Sequence, residues 1–197
     1  MNDLLTIRSQ LDAAITYGYM AKARRLAARG LKLALAKDDL AEIMYFRAQQ
    51  KILLEEYREA IRYLDLAIRF NPRDGAAFND RGLCMAEMGM LQDALAFFDR
   101  GIAAEPDYAT IYHNKGWLLN RLGRHAEAIP LFNKALDLEP DRAVTFENLA
   151  DTYVQLGRVP EAREAYRQSL ALLKTAPRSI REQIRDSLQR LGEQIDV

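Results

Sequence analysis

Small and large apolar residues recur along this chain at a fixed interval, and the recurrence predicts its elements. From Ala41 onward the pattern repeats every 34 residues, with units opening at Ala41, Gly75, Ala109 and Ala143. The fourth place of each unit is large and apolar (Met44, Phe78, Tyr112, Phe146) and the eighth is small (Ala48, Gly82, Gly116, Ala150). Ala60, Ala94, Ala128 and Ala162 follow, then Leu64, Phe98, Phe132 and Tyr166, then Ala67, Gly101, Ala135 and Ser169. Each unit therefore reads as a helix, a turn and a second helix, whose small residues let backbones approach while the large ones fill the space beside them. Pro72, Pro106 and Pro140 close successive units at the same interval.

Turn chemistry agrees with the pattern. Gly89, Gly123 and Gly157 fall between the two helices of a unit, where a left-handed residue ends the first helix. Glu55 takes that place in the second unit, which predicts a less regular turn there. Pro160 stands in a first turn, where its missing N–H costs little. Pro130 lies deeper in its helix and predicts one lost bond with a slight bend.

The ends depart from the pattern. Gly18, Met20, Ala23, Ala27 and Gly30 align with the turn and second helix, so a degenerate first unit begins near Leu4. Leu11 replaces its small residue, no proline follows, and the second helix is expected to reach about Lys37. Asp39 with Glu42 three residues on reads as a capping-box start for the next helix. Near the other end Ile180, Ile184, Leu188 and Leu191 form one apolar stripe, with Arg181, Glu182, Arg185 and Arg190 facing elsewhere. That helix, expected over 178–194, reads as a cap, with partner docking as the rival reading.

These residues carry a resemblance to the tetratricopeptide repeat family. Tyr112, Gly116, Ala128, Phe132, Ala135 and Pro140 match its signature within one unit, and the similarity is strongest from Ala41 to Arg142. The resemblance implies an all-α, right-handed α-solenoid of five helix–turn–helix repeats (4–40, 41–74, 75–108, 109–142 and 143–176) and a capping helix, forming a single array over 1–197. It also implies a non-catalytic interaction module that holds a peptide or partner protein in a concave groove.

The helical register says which residues would line such a groove. On each first helix, places 4, 8 and 11 are committed to packing, and places 2, 5, 6, 9, 12 and 13 share the opposite side within about 120°. That face carries Tyr45, Phe46 and Gln49, then Asn79, Asp80 and Leu83, then His113, Asn114, Trp117, Asn120 and Arg121, then Glu147, Asn148 and Asp151. Trp117 is the single tryptophan, and Trp and Arg are the residue types that most often dominate binding energy. Asn114 and Asn148 hold the same place in successive units, so their amides are placed to grip a peptide backbone. Chaperone-binding members of the family use Lys and Arg at set groove places. Here Asn79, Leu83, Asn114, Val144 and Asn148 stand instead, which argues against an acidic chaperone tail.

Composition narrows the alternatives. Lys and Arg number 28, as do Asp and Glu, so no net field draws the chain to nucleic acid or an anionic membrane. Lys22, Arg24, Arg25, Arg29, Lys32 and Lys37 nonetheless form a basic run without acids, an alternative surface for an acidic partner or nucleic acid. No aromatics interleave it, which weakens its reading as a single-strand surface and makes nucleic acid the less expected partner. Self-assembly through the terminal helices is the other alternative and would make the chain a homo-oligomer. A single cysteine, Cys84, precludes an intrachain disulfide and suits a reducing compartment. With no leader-like start and no membrane-length apolar run, a cytoplasmic location without membrane attachment is expected. His113 and His125 lack partners at metal-ligand spacing, and no phosphate loop occurs, so neither metal, cofactor nor enzymatic chemistry is expected.

Overall fold

A computed structural model describes residues 3–174 and 178–192. The described residues are all-α, as the periodicity predicts, with eleven helices. They divide into two compact units, 1–106 and 107–197.

The first unit contains α1 (Leu4–Thr16), α2 (Met20–Ala36), α3 (Leu40–Ile52), α4 (Tyr57–Phe70), α5 (Gly75–Glu87) and α6 (Leu91–Ala104). Each helix packs on the next in chain order. Asp side chains start the first helix of every hairpin. Asp3, Asp39 and Asp74 accept from the backbone N–H of Thr6, Glu42 and Ala77 at 2.8, 3.2 and 3.1 Å, which satisfies orphan donors of the first turn. In the first hairpin the large and small places are exchanged: Leu11 and Ala27 are both buried, and Gly30 admits the ring of Phe46 from the next hairpin.

The second unit contains α7 (Ala109–Arg121), α8 (His125–Leu138), α9 (Ala143–Gln155), α10 (Val159–Leu172) and α11 (Arg178–Arg190). Here too neighbours in sequence pack together from α7 to α10, and α11 lies on α10. Gly116 shows why the eighth place stays small, since a methyl group there would sit 3.0 Å from the buried Phe132 ring. α8 runs unbroken through Pro130, and Pro160 sits in the first turn of α10. Ile184 and Leu188 of α11 are buried and Ile180 and Leu191 partly so, which places the apolar stripe inward. The expected extension of this helix to 193–194, and the Ala176–Pro177 junction before it, lie outside the described residues.

One expectation is corrected. The turn at Glu55 is as regular as those at the glycines: Glu55 adopts φ 60°, beside 79° at Gly89, 73° at Gly123 and 69° at Gly157. It also makes the same pair of backbone bonds, Glu55 N–H to Ile52 and Glu56 N–H to Lys51. The packing of α3 on α4 imposes the turn, and the side chain accepts the strain.

Candidate peptide-binding site

The free faces of the first helices differ between the two units. In the first unit Tyr45 and Gln49 on α3 and Asn79 on α5 are buried. The register explains the fifth-place residues, Tyr45 and Asn79. At 3.6 residues per turn, place 5 lies only about 60° round from the packed place 8, so a neighbouring first helix covers it. Arg8 of α1 lays its guanidinium over the Tyr45 ring at 3.5 Å and pairs with the buried Asp74 carboxylate at 2.6 Å. It also approaches Glu42 at 3.5 Å, and burial outweighs that attraction to hold Glu42 above the usual carboxylate range.

Beside this cluster, Asp80 accepts from Gln49 Nε2 at 2.5 Å and Asn79 Nδ2 at 3.0 Å. Desolvation nevertheless dominates and pushes its carboxyl up to about 7, with Asp12 adding repulsion. Leu83 is half-buried. Arg8 has no place in the sequence reading because the degenerate first unit obscured the register. A charged residue five places after the Asp3 cap was the available signal.

In the second unit His113 is buried as well. Its Nδ1 lies 2.9 Å from Thr145 Oγ1 and its ring stands 5.8 Å from that of Phe132. Burial, aided by Arg142, pushes its pKa down to about 3, so the ring is neutral and built into the packing between α7 and α9. Of the expected groove residues, Tyr45, Phe46, Gln49, Asn79 and His113 are therefore enclosed by their neighbours. Asn114 is half-buried.

Five of the expected residues of α7 and α9 gather around a recess of about 500 Å³, and Glu147 is not among those that line it. Trp117, Asn120, Arg121, Asn148 and Asp151 line it, as their register places require, together with Gly123, His125, Val154 and Gln155. Val154 and Gln155 hold the places of Asn120 and Arg121 one repeat later, so the register contained the signal for them. His125, which opens α8, came from outside the face considered. The half-buried Trp117 carries Arg121 over its ring, with the guanidinium carbon 4.7 Å from the centroid.

Hydrogen bonding within the recess is partly committed. Asn148 donates to the Val144 carbonyl at 3.0 Å, Asn120 Oδ1 meets His125 Nδ1, and the Tyr166 hydroxyl donates to Asp151. Burial first, then the neighbouring Asp151, holds Glu147 above the usual carboxylate range. Burial raises Asp151 likewise, against the pull of the Tyr166 hydroxyl.

Elsewhere, the basic residues Lys22, Arg24, Arg25, Arg29 and Lys32 are exposed on α2, opposite its buried Ala23, Leu26, Ala27, Gly30 and Ala34. Cys84 is buried and its thiol is pushed up to about 12 by desolvation, which suits a packing residue rather than a nucleophile. Among the described residues no three His, Cys, Asp or Glu side chains converge as metal ligands, and no helix is long and apolar enough to cross a membrane.

Comparison with known proteins follows the same lines. The family model for the tetratricopeptide repeat matches residues 75–139 and 107–175. No curated protein matches the chain in sequence. Among solved structures, TTC0263, a thermophilic TPR protein in Thermus thermophilus, is similar with a TM-score of 0.71 at 20% identity, over 96% of this chain and 99% of that one. YrrB, described as a TPR protein with an unusual peptide-binding site, gives 0.60 at 17% identity, over 93% and 92%. MamA from Desulfovibrio magneticus RS-1, from residue 41 to its end, gives 0.61 at 18% identity, over 78% and 96%. At these identities the likeness is one of fold.

Proposed function

The chain belongs to the tetratricopeptide repeat family, and we propose that it is a non-catalytic protein-binding module whose recess beside Trp117 receives a peptide or an extended segment of a partner. The observation that carries this reading is the pairing of that recess with a half-buried tryptophan bearing a stacked arginine. Aromatic and guanidinium groups at the centre of a concavity, rimmed by amides, are the composition of an interaction hot spot. Asn148, with one amide hydrogen committed to its own helix, keeps its carbonyl oxygen for a visiting backbone N–H. Catalysis has little to recruit: His113 is neutral and packed, and Cys84 is protonated and enclosed.

The test begins by selecting peptides from a random library on the full chain, then titrating them against Trp117→Ala and wild type. Trp117→Ala is expected to weaken binding by about tenfold or more, the scale of an aromatic hot spot, while helical content by circular dichroism stays unchanged. Equal affinity for both proteins would remove the recess from the binding surface.

A further inference from the structure

We propose that the outer face of α2 is a second docking surface, and that its partner is an acidic, amphipathic helical segment of another protein. Lys22, Arg24, Arg25, Arg29 and Lys32 are exposed along it, opposite the residues that α2 buries. Lys22, Arg25, Arg29 and Lys32 follow at intervals of 3, 4 and 3, so they form one stripe about 15 Å long. None of the five has an ion-pair partner among the described residues, whereas Lys51, Arg81 and Arg142 have theirs.

Helix stability does not account for this charge. The third residue of every other second helix is acidic: Glu59 in α4, Asp93 in α6, Glu127 in α8 and Glu161 in α10. An acid there complements the partial positive charge of a helix N-terminus, and Lys22 opposes it. Each of those four helices carries two acids in all, whereas α2 carries none. The first hairpin thus departs from the repeat in the direction that costs stability and leaves a face of one sign.

The apolar part of the face argues for a helix as the occupant. Ala21, Ala28 and Leu35 stand seven apart and exposed among the cations, and Met20 is exposed where α2 begins. Small and apolar residues at that interval let a second helix lie close, while the flanking cations meet its carboxylates. Phosphates offer those apolar groups nothing to pack on. Tyr17 and Tyr19 are exposed too, but they stand before the basic residues rather than between them, so they give no stacking platform along the stripe. Residues 1–106 hold 15 Lys and Arg beside 15 Asp and Glu, and residues 20–37 hold six of the former and none of the latter. The rest of that unit is therefore acidic on balance. It repels a long polyanion that strays off α2, but not a segment as short as α2 itself. A second copy fits no better, since α2 against α2 opposes like charges and α11 holds four arginines and two acids.

The probes are a fluorescent peptide as long as α2 with Glu and Leu at helical spacing, the same residues in scrambled order, single-stranded and duplex DNA oligonucleotides, and phosphatidylserine vesicles. The amphipathic peptide is expected to bind, to gain helicity by circular dichroism, and to weaken as salt rises. Arg25→Glu with Arg29→Glu should weaken it about tenfold or more, as like charges replace opposite ones. Lys22→Glu should weaken it several-fold while the thermal midpoint holds or rises, because the acid restores the helix start of the other repeats. Trp117→Ala should leave the affinity unchanged, which separates this surface from the recess. Failure of the amphipathic peptide to bind, equal binding of the scrambled one, or preferential binding of an oligonucleotide or vesicle would overturn the assignment. Dimerisation in light scattering that the double variant abolishes would overturn it in favour of a second copy. A peptide that responds to Trp117→Ala and not to the double variant would overturn it too, and would leave the recess reading standing.

Discussion

The first helices of the two units leave the same repeat places unclaimed by packing, yet in one unit those places are filled and in the other they surround a recess. In the first unit, Arg8 reaches from α1 to cover Tyr45 and meet Asp74, while Gln49 and Asn79 close over Asp80. In the second unit, Trp117 and Asp151 occupy the places held by Gln49 and Leu83, and their neighbours stand back from one another. Helix starts differ in parallel: Asp caps begin α1, α3 and α5, whereas α7 and α9 begin at Tyr108 and Arg142 without a side-chain cap bond. A repeat scaffold thus sets where side chains stand, and the residues at places 5 and 9 decide whether a face holds itself or holds something else.

Breaking the ion pair in the first unit is the most severe test of that contrast. Arg8→Ala leaves Asp74 buried without its counter-charge and uncovers Tyr45, so a loss of about 3–5 kcal/mol is expected in urea unfolding. Arg121→Ala in the second unit removes an exposed side chain with a single aromatic contact and should cost within about 0.5 kcal/mol. Similar losses for the two variants would mean that the second face is self-sustaining too.

The pH dependence should differ in sign. Asp80 titrates near 7 in the folded chain against an ordinary value of 3.8, so its contribution is fully present below about 4 and is lost as pH rises through 7. His113 titrates near 3 against 6.5, so its contribution is present above 6.5 and is lost as pH falls towards 3. Thermal unfolding followed from pH 4 to 8 checks both through difference curves. Asp80→Asn should gain on wild type as pH rises, and His113→Gln should gain as it falls, each by at least about 1 kcal/mol across the range. Asp12 and Arg8 act on Asp80 in opposite directions, so replacing either should move the Asp80 curve along the pH axis without reversing it.

The fold was legible because its packing is periodic. Gly116 beneath Phe132 requires a small residue, and the same constraint is written again every 34 residues. The site was legible only where register alone decides exposure. Trp117, Arg121, Asn148 and Asp151 fall on the recess as their places require. Tyr45, Asn79 and His113 share a place at the margin of the free arc, and there the neighbouring helix decides. His113 is taken by Thr145, which sits 32 residues further along the chain. Arg8 was invisible for a related reason, since its partner Asp74 is 66 residues distant and no repeat equivalent announces it.

A smaller effect than the ion pair's is expected at the turns between paired helices, where Glu55 stands in the place that Gly89, Gly123 and Gly157 hold in the other repeats. Glu55 and Gly123 occupy equivalent places, with φ 60° and 73°, and their backbone bonds are the same. A side chain in the left-handed region brings Cβ against the following carbonyl, at about 1–2 kcal/mol. Glycine avoids that strain, though its looser unfolded chain offsets part of the benefit. Nothing lies within 4 Å of a Cβ built at Gly123, so crowding adds no further term there. Glu55→Gly should therefore stabilise the chain, and Gly123→Glu destabilise it, by about 0.5–1 kcal/mol each. Urea midpoints at unchanged slope are the measurement. If Glu55→Gly lost stability instead, the glutamate would be contributing a favourable interaction larger than its backbone strain, and the two turns would be alike in shape but not in what maintains them.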